Sequence, residues 1–282
     1  MAGASPGEQE EVLSSHEVME FRENVYRFYR VHRRDLPWRN TKDAYSILVS
    51  EVMLQQTQVE RVLERYPRFI ARFPDFSTLA GAPFPEVLGE WQGLGYNRRA
   101  IFLHRIARLV RDEYSGCLPD DEGTLMSFPG IGEATAASLL AFVFNRPSIV
   151  VETNIRRVFI HFFFEGESGV KDPEIWPFVA ATCDRENPRE WYYALMDLGS
   201  ALKKQIPNPN RRSAHYRKQA SFEGSDRMVR GKILGILVRD GAVRESDLPW
   251  MLGIDRQRAE AILSTLEKEG FFKREGELAV LL

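Results

Sequence analysis

The stretch Phe128-Pro129-Gly130-Ile131-Gly132-Glu133-Ala134-Thr135-Ala136-Ala137-Ser138-Leu139-Leu140 admits few folds. Pro129 cannot continue the helical run Gly123 to Ser127, and Gly130 and Gly132 can take backbone angles closed to other residues. The stretch therefore reads as a helix, a tight hairpin and a second helix. Bare amides at a helix start form a seat for phosphate, because unsatisfied N–H groups and the positive end of the dipole point the same way. An ordinary turn between two core helices would use the same residues, so the rest of the chain has to decide between them.

Before residue 220 almost nothing alternates with period two, and the apolar residues recur at helical spacing. Phe21, Val25, Phe28 and Tyr29 mark an opening helix over 21–32, which Leu36-Pro37-Trp38-Arg39 breaks. A long helix is expected over about 44–66, then shorter ones over 75–81, 85–91 and 98–114. After the hairpin come 152–164, 175–182 and 191–202. This part is therefore read as all-helical. Beyond a boundary at 221–226 the pattern changes: helices over 228–239, 245–253 and 255–269, then a hairpin of 271–274 and 278–282 about Glu275-Gly276-Glu277. Three helices and a hairpin outline a winged helix. Its third helix mixes Arg256, Arg258 and Lys268 with Asp255, Glu260, Glu267 and Glu269, which favours packing or partner binding over reading a DNA groove.

No run approaches the length of a membrane span, and the acidic, polar start of the chain lacks the chemistry of a secretory or mitochondrial leader. An intracellular protein is expected, in the cytoplasm and nucleoid if the source is prokaryotic, with no membrane partner. Two cysteines, Cys117 and Cys183, supply neither a disulfide framework nor a cysteine-built metal site. The net charge of −2 hides a local excess: from Lys203 to Lys218 there are six Lys or Arg and no acid. That segment is a candidate phosphate-contacting surface, with a solvated loop as the plain alternative.

Two carboxylates have unusual neighbours. Glu51 lies within Ile47-Leu48-Val49-Ser50-Glu51-Val52-Met53-Leu54, where apolar flanks should favour its protonated form. Glu152 follows Ile149-Val150-Val151 at a helix start, where the dipole and Arg156 or Arg157 should keep it ionised. One acid and one anion are what cleavage at a sugar anomeric carbon requires, a proton for the leaving group and negative charge for the oxocarbenium-like centre. Each also has a plain reading, Glu51 as a helix residue paired with an Arg and Glu152 as a capping carboxylate.

Leu36-Pro37-Trp38-Arg39, Ser50-Glu51-Val52-Met53-Leu54-Gln55-Gln56-Thr57-Gln58-Val59, Trp91-Gln92-Gly93-Leu94-Gly95-Tyr96, Phe128-Pro129-Gly130-Ile131-Gly132 and Met196-Asp197-Leu198-Gly199 stand in one order. In that order and spacing the chain resembles the helix-hairpin-helix (HhH-GPD) base-excision DNA glycosylases over about residues 20–220, and within them the MutY-type adenine glycosylases. The resemblance implies a mainly α fold with a two-lobed helical glycosylase domain over 17–220, after a disordered stretch 1–16 and before a winged-helix-like α+β module over 226–282. It implies removal of a base flipped out of double-stranded DNA, which favours mispaired or damaged bases, by a protein expected to be a monomer. By position, Glu51 matches the general acid and Glu152 the cation-stabilising carboxylate. Trp38, Arg39 and Leu54 match the adenine pocket. Gln56 and Thr57 match the residues that enter the gap in the base stack, with Leu94 and Tyr96 as a wedge, and Gln55 is expected among the substrate-binding residues. Gly130 and Gly132 match the hairpin that holds the DNA backbone, with a monovalent cation, K or Na, as a further occupant; Arg211, Arg212, Arg217 and Lys218 would add phosphate contacts.

Four features depart from the family. Glu152 replaces an Asp, one methylene longer. Ala134 stands where lyase-competent relatives carry a Schiff-base Lys, so a monofunctional glycosylase is expected. Lys203, Asn210, Ser213 and Gln219 replace four cluster cysteines, so no iron-sulfur ligands and no required cofactor are expected, the loop 203–219 being held by its own hydrogen bonds. The C-terminal 8-oxoguanine-recognising domain of the family is replaced by the small module, which either takes over that recognition or leaves the preference absent. The expected activity is excision of adenine opposite guanine or 8-oxoguanine. A thymine or uracil mismatch glycosylase is the alternative, and a non-catalytic mismatch or damage binder is the alternative of another class.

Overall fold

The computed structural model describes residues 12–218 and 221–282. In chain order its helices are α1 (Ser15–His32), α2 (Ala44–Leu54), α3 (Val59–Arg72), α4 (Phe76–Gly81), α5 (Phe84–Trp91), α6 (Arg98–Glu113) and α7 (Glu122–Ser127). There follow α8 (Glu133–Phe144), α9 (Thr153–Phe163), α10 (Asp172–Thr182), α11 (Pro188–Gln205), α12 (Asp226–Asp240), α13 (Leu248–Leu252) and α14 (Arg256–Glu269). Many of the starts follow directly from side-chain chemistry. Ser14, Asp43, Asp75, Asp121, Glu152, Ser225 and Asp255 each accept hydrogen bonds from backbone N–H groups two or three residues on, satisfying donors that the first turn leaves bare. Ser14 and Glu17 complete a capping box, so helix begins at Ser15, inside the stretch expected to be disordered; residues 1–11 of that stretch lie outside the described residues. No helix among the described residues is long and apolar enough to cross a membrane.

The chain forms two compact units, neither continuous in sequence. The first comprises the chain up to Asp35 with Glu133–Arg217. Its core is aromatic: the Phe21 ring of α1 lies 5.6 Å from Phe159, 4.9 Å from Phe163 and 5.9 Å from Trp191. Burial of such rings contributes roughly 1.5–3 kcal/mol each.

The second unit comprises Leu36–Gly132 with Lys218–Leu282. Phe69 of α3 meets Trp91 of α5 at 5.9 Å, and Tyr45 of α2 meets Phe76 of α4 at 5.0 Å. The C-terminal segment packs here: a Cβ at Gly89 of α5 would lie 3.6 Å from Val238 of α12, and Phe84 lies 6.2 Å from Phe271. The segment carries the expected three helices and hairpin, β2 (Phe272–Glu275) with β3 (Leu278–Leu281), and one strand more, β1 (Ala242–Arg244). The sheet is antiparallel in the order β1-β3-β2, with Val243 opposite Ala279 and Arg274 opposite Ala279 on its other side. Arg258 on α14 turns to Asp226 and to the Gly224 carbonyl within the segment.

The helix expected over 44–66 is two helices, broken at Gln55–Gln58. Gln56 takes φ 55°, a left-handed backbone uncommon for a residue with a side chain and concentrated at functional turns.

Candidate active site

Glu51 lies in the last turns of α2, a helix whose Tyr45, Ile47, Leu48, Val49, Ser50, Val52 and Met53 are all buried. Glu51 and Leu54 stay half-buried, and the chain leaves the helix immediately after them. The acid therefore sits about one turn ahead of Gln55-Gln56-Thr57, of which Gln56 is exposed. Trp38 and Arg39, expected at the base pocket, are both buried in the short turn Pro37–Arg39, with the Trp38 ring edge-on to Tyr66 at 5.4 Å.

The loop after α2 is tied to two neighbours. Gln55 Nε2 donates to the Gly130 carbonyl at 3.3 Å, and Thr57 Oγ1 to the Leu94 carbonyl at 3.3 Å. Leu94, expected as a wedge, is a correction: it is 2 % exposed and faces the core, while Tyr96 is 38 % exposed. Positive φ at Gly93, Gly95 and Tyr96 bends the chain twice, turning Leu94 in and Tyr96 out.

Sequence reasoning missed Arg99. Its guanidinium is buried and donates through Nη1 to the carbonyls of Val52 (2.8 Å), Met53 (2.8 Å) and Gln55 (2.6 Å). Through Nη2 it reaches Thr57 Oγ1 (2.8 Å) and the Gly95 carbonyl (2.9 Å). Burial lowers its pKa to about 10. The signal was present: Arg99 occupies the same stripe of α6 as the buried Leu103, Ile106 and Val110, where a cation needs partners.

In the hairpin, Gly130 has φ 78°, and a Cβ there would lie 2.4 Å from the Phe102 ring, so both conformation and space demand glycine. Gly132 departs from expectation: it has ordinary φ, and a Cβ there would meet nothing within 4 Å. The space beside its backbone is open. Neither amide donates to a backbone carbonyl among the described residues. Ala134 is exposed in the first turn of α8 and brings no amine.

Glu152 belongs to the other unit, as the N-cap of α9. Its Oε1 accepts from the backbone N–H of Asn154 (2.7 Å) and Ile155 (2.9 Å), and its Oε2 from Asn154 Nδ2 (3.3 Å). Burial raises its pKa above the ordinary carboxylate range, outweighing the lowering by those two N–H groups, by Arg157 and by Arg156. This reverses the direction expected from the helix dipole. Arg156 is engaged elsewhere, bidentate to Asp172 at 2.6 and 2.7 Å. Arg157 orients Asn154 by donating to its Oδ1 at 2.8 Å, and also reaches the Gly199 carbonyl (2.6 Å) and Asn208 Oδ1 (3.0 Å).

The basic loop is built on the same helix. Asn210, buried, donates from Nδ2 to the Thr153 carbonyl at 2.8 Å, and Ser213 Oγ accepts from the His215 N–H at 3.1 Å. Such nitrogen and oxygen groups do not fit an iron-sulfur cluster, whose irons take thiolates; Gln219 lies outside the described residues. Arg211, Arg217 and Lys218 are exposed. Arg212 is not available in the expected way: it donates to the carbonyls of Ile160 (2.8 Å) and Phe164 and closes the C-terminal end of α9.

The sequence matches the HhH-GPD superfamily of base excision DNA repair proteins over residues 49–175. The adenine DNA glycosylase of Mycolicibacterium smegmatis is 36 % identical over 263 residues, which cover 85 % of this chain and 88 % of that protein. The adenine DNA glycosylase of Buchnera aphidicola (subspecies Baizongia pistaciae) is 32 % identical over 176 residues, 62 % of this chain and 50 % of that protein, so the chain spans about half of that relative's length. Among solved structures, a thermostable thymine-DNA glycosylase superposes with a TM-score of 0.60 at 26 % identity, covering 66 % of this chain and 87 % of that one.

Proposed function

The chain belongs to the HhH-GPD superfamily of base excision DNA repair proteins and, within it, to the adenine DNA glycosylases, and we propose that it hydrolyses the N-glycosidic bond of a mispaired adenine flipped out of duplex DNA. The observation that carries this reading is the placement of Glu51, a half-buried acid about one turn before a loop whose exposed Gln56 has left-handed backbone. Gln56, Thr57 and Tyr96 contact the stack that the base has left. Glu51 donates its proton to the departing adenine as the bond from the base nitrogen to the sugar breaks. To Glu152 falls the part of the anion that offsets the positive charge developing on the sugar; water adds to that carbon and its proton passes to the Glu51 carboxylate, which restores the acid. The desolvation that raises the Glu152 pKa also strengthens its attraction for that charge, because Coulomb energy grows as the local dielectric falls.

The amides of Gly130 and Gly132 take a phosphate oxygen, and exposed Arg211, Arg217 and Lys218 add sequence-independent attraction to the backbone. With Ala134 in place of an amine no Schiff base forms, so the enzyme is monofunctional; it acts as a monomer and needs no iron-sulfur cluster. Borohydride should therefore trap no covalent complex with DNA. The deciding experiment is single-turnover excision from duplexes carrying A:G, A:8-oxoguanine, T:G and U:G. Release of adenine, with Glu51→Gln slower by on the order of a hundredfold and binding retained, supports the reading. Release from T:G or U:G alone would assign the substrate of the thymine-DNA glycosylase to which this fold is similar. Tight binding with no release from any duplex would make the protein a binder.

A further inference from the structure

The geometry points to Arg99 as a positioning residue for base flipping, a single planar fork that fixes the Gln55–Thr57 loop and the Leu94–Tyr96 loop to one another and to the end of the helix carrying Glu51. This rests on the glycosylase reading above. A helix end leaves its last carbonyls without partners, at the negative end of its dipole. In α2 those of Val52 and Met53, with that of Gln55 just beyond, converge on Arg99 Nη1. The helix can stop at Leu54 and the chain can turn outward at Gln56 because these carbonyls are already satisfied.

The other side of the guanidinium holds the second loop. Nη2 donates to Gly95 O at 2.9 Å and, at a long 3.5 Å, to Leu94 O; Nε reaches Tyr96 O at 3.4 Å. The rings of Trp91 and Tyr96 lie 5.4 and 5.6 Å from its central carbon. Among the described residues, every hydrogen-bond acceptor it meets is a neutral carbonyl or hydroxyl, with no carboxylate among them. A buried cation without an anionic partner is costly to keep, and an ion pair would be the ordinary solution if stability alone were served. The fork instead joins two loops whose exposed residues, Gln56 and Tyr96, would have to hold a fixed separation to fill the gap in a base stack. Lysine offers a point charge with three rotatable donors and cannot reproduce this planar array of acceptors.

The test uses Arg99→Lys and Arg99→Met in the full chain, with folding checked by circular dichroism. Two substrates are compared in single turnover: adenine opposite guanine, which must be unpaired and unstacked, and adenine opposite an abasic site, which costs less to extrude. We expect Arg99→Lys to lose roughly a hundredfold on the first and under about tenfold on the second. The fluorescence rise of 2-aminopurine, placed at the target position opposite guanine, should appear when the wild type binds and be lost with the variant. Equal losses on both substrates would mean a merely structural role and overturn the proposal, as would unchanged rates or failure of both variants to fold. If the wild type releases no base at all, the glycosylase reading falls by itself. The 2-aminopurine signal still decides on Arg99 in that case, since a rise retained by Arg99→Lys, or none in the wild type, overturns it.

Discussion

The backbone of Gly199 lies against the carbonyl of Asn154, so closely that a Cβ at 199 would stand 2.2 Å from the oxygen. Glycine there lets α11 approach the first turn of α9, the turn that Glu152 caps. The neighbour is backbone and cannot swing aside. Gly199→Ala should therefore cost about 1–3 kcal/mol or more in urea unfolding and shift the Glu152 carboxylate, lowering excision more than the stability loss explains. A variant with wild-type stability would show that α11 can move away freely.

The two hairpin glycines should part company. Gly130→Ala meets both a positive φ and the Phe102 ring and should destabilise by about 1–3 kcal/mol. Gly132→Ala enters open space and should leave stability within about 0.5 kcal/mol while weakening binding to matched and mismatched duplexes alike, because a backbone contact carries no sequence information. Calorimetry for the fold and a binding titration for the DNA read the two effects separately.

Glu152 should set function against stability. Its folded carboxyl holds a proton more tightly than the unfolded chain does. That contribution is complete below the unfolded value and is lost as pH rises through the folded one, so the side chain contributes less stability near neutrality than in acid. Glu152→Gln, whose amide oxygen can still accept from Asn154 and Ile155, should melt at higher temperature than wild type at pH 7, with the difference shrinking toward pH 4. Its excision rate should fall by on the order of a hundredfold. A lower melting temperature at pH 7 would show that the charged form is the one the fold favours.

His104 should make the protein sensitive to acid. Burial, aided by Arg108, pushes its imidazole down to about 4, against hydrogen bonds to the Ala82 and Ala80 carbonyls, and its Nε2 has no partner among the described residues. The neutral ring is stacked on Phe84 at 5.8 Å. Stability is full above the unfolded value of about 6.5 and falls as pH drops from there toward 4, because only the unfolded chain takes the proton. Between pH 7 and 5 the wild type should lose about 2 kcal/mol more than His104→Leu in urea unfolding. Equal losses would show that His104 is protonated in the folded protein.

What could be read from residues alone follows the range of the forces involved. Helix starts at Asp75 and Asp255 and the Gly270 stop are local, since a side chain caps a backbone a few residues away. Glu152 at the head of α9 was legible for the same reason. The direction of its pKa was not, because desolvation depends on what packs around the carboxyl and not on the helix dipole alone. The break at Gln55–Gln58 interrupts an unbroken helical pattern, and it depends on Arg99, more than forty residues away along the chain. Strand β1 is three residues long, too short to show a period, and exists through its pairing with β3. Leu94 read as a wedge because its neighbours matched one; the backbone of Gly93 and Gly95, visible only in three dimensions, points it inward.

The first compact unit is interrupted by the second, and this imposes an order in time. As the chain leaves the ribosome, Phe21, Val25 and Tyr29 of α1 are made early, yet Phe159 and Trp191, against which Phe21 packs, come well over a hundred residues later. Residues 36–132 can meanwhile close much of their own core. Synthesis thus nests one folding event inside another: the apolar face of α1 waits uncovered while the intervening segment condenses, and it is then the surface most open to chaperones or to premature association.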